Sequence, residues 1–119
     1  MHVTVRKAGN VVIVDLNGSL HAGLDDEILR GVVNELLAEG WKKILLNLSK
    51  VTSIDSSGIG ALVQSLRVSS KFGADLKLLN FHDRVKKSLH LAQLLPVFHV
   101  YDEEPEALRG FAAAVGPGR

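Results

Sequence analysis

The pattern of apolar and polar positions divides the chain into alternating strand-like and helix-like stretches. His2–Ala8 (HVTVRKA) alternates, as a half-buried strand does, whereas Val11–Leu16 (VVIVDL) is apolar on both faces, as a central strand is. Gly9-Asn10 between them predicts a tight hairpin, and Asn17-Gly18 predicts the end of the second strand. Residues 24–39 (LDDEILRGVVNELLAE) gather Leu24, Ile28, Val32, Val33, Leu36 and Leu37 into one helical stripe. Asp25, Asp26 and Glu27 fall in the first turn, where the helix dipole favours carboxylates, and Gly40 is a stop signal. Lys42–Ser49 (KKILLNLS) predicts a buried strand, followed by a loop over 50–54.

The next helix begins within VTSIDSSGIGALVQSL (51–66), with Ile59, Leu62, Val63 and Leu66 as its core face and Gly73 as its C-cap. DLKLLN (75–80) predicts a strand, DRVKKSLHLAQLL (83–95) an amphipathic helix stopped by Pro96, and VFHVY (97–101) a short strand. EEPEALRGFAAAV (103–115), with Pro105 and acidic residues at its start, predicts a last helix, and GPGR (116–119) a loose tail. The order β-β-α-β-α-β-α-β-α implies one α/β domain over 1–115. Its sheet should be mixed but mostly parallel, with about four to five strands and about four helices.

Composition narrows the function classes. The chain has 119 residues, 46% of them hydrophobic, which suits one domain with an ordinary core. A formal net charge of +1 gives no strong pull toward nucleic acid or an anionic membrane. The absence of cysteine excludes disulfides, thiol catalysis and cysteine–zinc sites, and the five histidines have no metal-ligand spacing. No stretch approaches the ~20 apolar residues of a membrane span, and MHVTVRKAGN lacks a signal-peptide core, so a soluble cytoplasmic protein is expected.

The candidate chemistry lies in Asp55-Ser56-Ser57-Gly58-Ile59-Gly60. Glycine costs about 1 kcal/mol relative to alanine inside a helix, yet two stand in this first turn. A nucleophile elbow needs Gly-x-Ser-x-Gly, and Ile54 occupies the place of the upstream glycine. Gly58-Ile59-Gly60 is half of a dinucleotide fingerprint, with Val63 at the third glycine position and no Walker lysine. N-capping accounts for one of Asp55, Ser56 and Ser57, but not for the glycines. A modifiable serine accounts for more. A phosphoryl group at a helix N-terminus faces free backbone N–H groups, and glycines without side chains let a partner's backbone come close. Ala61, Val68 and Phe72 form a narrow apolar stripe opposite the core face, suited to a partner or a second copy, although Phe72 could instead fold over the helix end. Arg84, Lys86 and Lys87 read as a solvated helix face.

LLNLSKVTSIDSSGIGALV resembles the signature of STAS domains, and specifically of bacterial anti-sigma factor antagonists. VVIVDLNGSL is similar to the family's second strand and Gly-x-Leu turn, and DRVKKSLHLAQLLPVFHVYDEEPEAL to its third helix, last strand and final helix. The resemblance implies that Ser56 is phosphorylated by a partner that is both anti-sigma factor and ATP-dependent serine kinase. Unphosphorylated protein binds that kinase, phosphorylation releases it and a phosphatase resets the cycle. The domain itself has no catalytic residue, cofactor or metal. Asp55, Ser57, Gly58, Gly60, Ala61, Val68 and Phe72 then belong to the contact surface. Asp55 either caps the helix or adds repulsion to the phosphate. The family usually carries an acid after the Gly-x-Leu turn, where this chain has His21. Protonated His21 could pair with phosphoserine, or it is an exposed loop histidine. A monomer or weak homodimer is expected, with other STAS proteins as further partners. The alternatives are a scaffold of a stressosome-like assembly and a detached subunit of a transport complex.

Overall fold

In a computed structural model, residues 1–79 and 98–114 are described. β1 (His2–Ala8) and β2 (Val11–Leu20) form an antiparallel hairpin turning at Gly9, whose φ of 63° suits a residue without Cβ. There follow α1 (Leu24–Ala38), β3 (Lys43–Ile54), α2 (Ser56–Lys71), β4 (Asp75–Leu79), β5 (Val100–Tyr101) and α3 (Glu104–Ala114). The sheet order is β1-β2-β3-β4-β5, and every pair after the first is parallel. The helix expected over 83–95 and the tail over 116–119 lie outside the described residues.

The apolar runs of β2 and β3 are buried on both faces, as a layered parallel sheet requires. Val12, Val14, Leu16, Ile44, Leu46 and Leu48 face a core shared with α1 and α2. Val11, Ile13, Leu45 and Leu79 face the other way, against Ala107 and Phe111 of α3. Both long helices end in Schellman turns. Gly40 N–H bonds Leu37 O and Trp41 N–H bonds Leu36 O, while Gly73 N–H bonds Ser70 O and Ala74 N–H bonds Ser69 O.

Five local expectations are corrected. β2 does not end at Asn17-Gly18 but continues to Leu20, and β3 continues past Ser49 to Ile54. Turn signals are local, whereas each strand here has the other as a ladder partner. Two register shifts, with Gly18 at φ 114°, absorb the irregularity, and pairing resumes from Asn17 with Lys50 to Leu20 with Ile54. β5 is shorter than the expected 97–101. Leu24, assigned to the α1 core stripe, is 69% exposed, because the first helical residue projects beyond the packed layer. Finally, α2 is buried along Gly58, Ala61, Leu62, Ser65 and Ser69, while Ile59, Val63 and Leu66 are only partly buried. The helix packs against both the sheet and α1, and its small residues permit that close approach.

Candidate functional site

The extension of β2 and β3 brings their C-terminal ends to the start of α2, where Asp55 N–H bonds the Leu20 carbonyl at 3.3 Å. Asp55 is the N-cap of α2. Its Oδ1 accepts from Gly58 N–H at 2.8 Å, and its Oδ2 accepts from Ala22 N–H at 3.0 Å. One carboxylate therefore caps the helix and ties down the loop before α1. The amides of Ala22 and Gly58, aided by nearby His21, hold its carboxyl below the usual carboxylate range. A second carboxylate grips the other side of this loop. Asp25 accepts from the N-terminal amine at 3.1 Å, from Ser19 Oγ at 3.1 Å and from His21 N–H at 3.2 Å. The amine, then the His21 amide, lower its carboxyl as well. The His21 ring places Nε2 2.9 Å from Ser53 Oγ.

The two serines differ sharply. Ser56 is exposed at the first position of α2. Ser57 is half-buried and donates its hydroxyl to Asp26 Oδ2 at 3.0 Å. Asp26 is only 6% exposed, and Arg30 Nη1 stands 3.6 Å from the same oxygen.

The two glycines differ as well. A Cβ on Gly58 would land on the Leu20 carbonyl oxygen and stand 2.8 Å from Ile54 Cγ1. The chain's own β2 end thus occupies the space that the missing side chain leaves. Gly60 is exposed, with open space around the Cβ position. Ala61, expected on an exposed stripe, is fully buried, because α1 covers that side of α2. Val68 is partly buried, and Phe72 is 52% exposed at the far end of the helix. With a rise of 1.5 Å per residue, Phe72 lies about 24 Å from Ser56. The structure therefore brings together His21, Asp55, Ser56, Ser57, Gly58 and Gly60, and leaves Val68 and Phe72 apart.

Sequence reasoning missed Ala22 and Asp26 as neighbours of this site. Asp26 reads as one of three helix-start acids, and no spacing rule indicates which of them faces α2. The exposure of Leu24 at the start of α1 has no periodic signal either.

On the opposite face of the sheet, a polar depression of about 340 Å³ opens over β1, β2 and β3. Arg6 bridges Asp15 and Glu104 there, and Asn47 donates to Asp15 at 2.7 Å. Asn47 is therefore part of an ion-pair network remote from Ser56. Among the described residues, no three His, Asp or Glu side chains converge as metal ligands would.

Comparison with known proteins supplies the family. The STAS domain model matches residues 2–107. A Thermotoga neapolitana protein, a candidate anti-sigma factor antagonist by name, is 35% identical over 99 residues, covering 83% of this chain and 88% of the relative. The crystal structure of a candidate anti-sigma factor antagonist from Thermotoga maritima superposes with a TM-score of 0.83 at 30% identity, over 91% of this chain and 92% of that one. The Bacillus cell fate determinant SpoIIAA, solved in its phosphorylated form, shares the fold with a TM-score of 0.70 at 21% identity, over 92% of this chain and 99% of the other. With its hairpin-led sheet, its capped Asp-Ser-Ser-Gly step and a family match across nearly its whole length, this chain belongs to the STAS domain family.

Proposed function

We propose that the protein is a phosphorylation-controlled binding module, an anti-sigma factor antagonist whose state is written on Ser56. Unphosphorylated, the surface around Ser56 binds an anti-sigma factor that is also an ATP-dependent serine kinase, and so frees a sigma factor. Phosphorylation of Ser56 breaks the complex, and a phosphatase restores it. The domain binds and is modified, and it catalyses nothing itself. The observation that carries this reading is the exposed hydroxyl of Ser56 at the first position of a capped helix, in a chain whose relatives bear the antagonist name.

The physics suits a switch that leaves the fold intact. A phosphoryl group on Ser56 adds about −1.5 to −2 charge beside the first-turn N–H groups, where the helix tolerates it. Asp55 is held in place by two backbone amides and keeps its charge next to that group. At a partner contact the added charge is repelled by acids and costly to bury unpaired. A penalty of ~3 kcal/mol weakens binding by about two orders of magnitude. In this reading His21, in the loop that Asp55 tethers, pairs with the phosphoserine when it is protonated. An imidazole titration unchanged by phosphorylation removes it from the contact.

The test is intact mass and peptide mapping after incubation with Mg-ATP and candidate kinases from the source genome. One phosphate, lost in Ser56→Ala and kept in Ser57→Ala, supports the reading. No phosphate with any candidate, together with a very large particle on gel filtration, favours a scaffold. A monomer or weak dimer favours the antagonist. Among the described residues, no helix is long and apolar enough to cross a membrane.

A further inference from the structure

The Asp-Ser-Ser step offers a kinase two adjacent hydroxyls, and α1 makes them unequal. Ser57 points its hydroxyl proton at Asp26 Oδ2, 3.0 Å away, in the seam between α1 and α2. Ser56 is exposed, and the nearest acid in sequence, Asp55, has both oxygens occupied by the amides of Ala22 and Gly58. We propose that Asp26 is the specificity-determining residue of this step: it withholds Ser57 from phosphoryl transfer and leaves Ser56 as the acceptor. The inference rests on the function proposed above and adds the residue that decides which serine is used.

Phosphoryl transfer to either serine forms an Oγ–P bond, breaks the bond from the γ-phosphorus of ATP to the leaving ADP oxygen, and sends the hydroxyl proton to a base on the kinase or to solvent. At Ser57 this path meets two obstacles. The hydroxyl must leave Asp26, and that hydrogen bond is the only one the Asp26 side chain accepts among the described residues. The buried carboxylate is then left with Arg30 at 3.6 Å, beyond hydrogen-bond reach. The product also sets a dianion against a carboxylate that is 6% exposed, where like charges are poorly screened. Ser56 is exposed, and its neighbouring carboxylate, Asp55, is less buried than Asp26 and held by two backbone amides, so both obstacles are smaller there. Asp26 is thus a positioning residue: it contacts no phosphate donor and acts through the hydroxyl it holds.

The decisive experiment uses the full chain in a Ser56→Ala background, so that Ser57 is the only serine of the step. Three proteins are compared with the same kinase and Mg-ATP: Asp26 intact, Asp26→Ala and Asp26→Asn. Asp26→Ala is expected to raise phosphate incorporation on Ser57 at least tenfold. Asp26→Asn, which keeps an acceptor oxygen but not the charge, should fall between the other two. General loosening of α1 would give no such graded response, and amide spectra of each variant report whether the fold is kept. In the chain with Ser56 present, a slowly exchanging Ser57 hydroxyl proton should be visible by NMR and lost in Asp26→Ala. Phosphate on Ser56 of the unsubstituted chain, run alongside, with no gain at Ser57 when Asp26→Ala is added to Ser56→Ala, overturns this inference alone, as does a Ser57 hydroxyl exchanging at the solvent rate. No phosphate on any chain, the unsubstituted one included, overturns the proposed function and this inference together.

Discussion

Gly58 and Gly60 stand two residues apart in one turn of helix, and alanine at the two positions is predicted to act with opposite sign. Helix propensity alone favours both substitutions by about 1 kcal/mol. At Gly58 the new Cβ meets the Leu20 carbonyl oxygen, a backbone atom that cannot swing aside, and stands 2.8 Å from Ile54 Cγ1 and 2.9 Å from Leu20 Cγ. The first turn of α2 must then lift away from the end of β2, stretching the 3.3 Å bond from Asp55 N–H to Leu20 O. Overpacking of this kind costs ~1–3 kcal/mol, and leaving a buried acceptor unmet costs a further ~1–3 kcal/mol. Taking about 2 kcal/mol for each and returning about 1 kcal/mol for propensity leaves a net loss of about 3 kcal/mol. For a domain of this size that is a fall in Tm of roughly 10 °C or more. Gly60 has no neighbour at the Cβ position and no positive φ, so Gly60→Ala should gain up to about 1 kcal/mol. Thermal and urea denaturation followed by circular dichroism measure both. A Gly58→Ala protein at or above the wild-type Tm would refute the close-approach argument, and a destabilised Gly60→Ala would refute the contrast.

Leu24→Asp should leave stability within about 0.5 kcal/mol, because the side chain is 69% exposed, while weakening the kinase partner at least tenfold; unchanged affinity in a titration removes Leu24 from the contact. Acid should destabilise the fold through Asp15, Asp25 and Asp55. Burial raises the Asp15 carboxyl, but hydrogen bonds from Arg6 and Asn47 outweigh it, so all three lie below the ordinary value of 3.8. Depressed carboxyls add stability that is fully present above the unfolded value and lost as pH falls through the folded ones. The urea midpoint should therefore hold from pH 7 to about 5 and drop below about 4, with a shallower limb in Asp55→Asn; a flat midpoint down to pH 3 contradicts this. Lys77 is 2% exposed, with Nζ donating to His99 Nδ1 at 2.9 Å and lying over the Tyr101 and Phe111 rings. Lys77→Met should be neutral or stabilising, whereas Lys77→Ala should cost ~2–4 kcal/mol in urea denaturation, and equal losses would argue that the ammonium itself holds α3 in place.

The sequence by itself determined the α/β class, the hairpin at Gly9-Asn10, the two central strands and the Asp-Ser-Ser-Gly step. Each of these rests on a short-range rule: a two-residue turn, a run buried on both faces, or a cap followed by glycines. Even the Schellman stops at Gly40 and Gly73 are local, since only a residue tolerant of positive φ fits there. The tertiary structure decided everything that depends on what lies across a gap. It carried β2 and β3 past an apparent turn because each supplied the other's ladder. It turned α2 so that Ala61, Ser65 and Ser69 went inward, because α1 and the sheet together claim more than one face of that helix. It assigned Gly58 to the Leu20 carbonyl and left Gly60 open, although one-dimensional reasoning gave the pair a single purpose. It separated two adjacent serines by placing a carboxylate from 31 positions earlier against only one of them. Periodicity fixes which residues share a face of an element, but only packing between elements determines what that face meets.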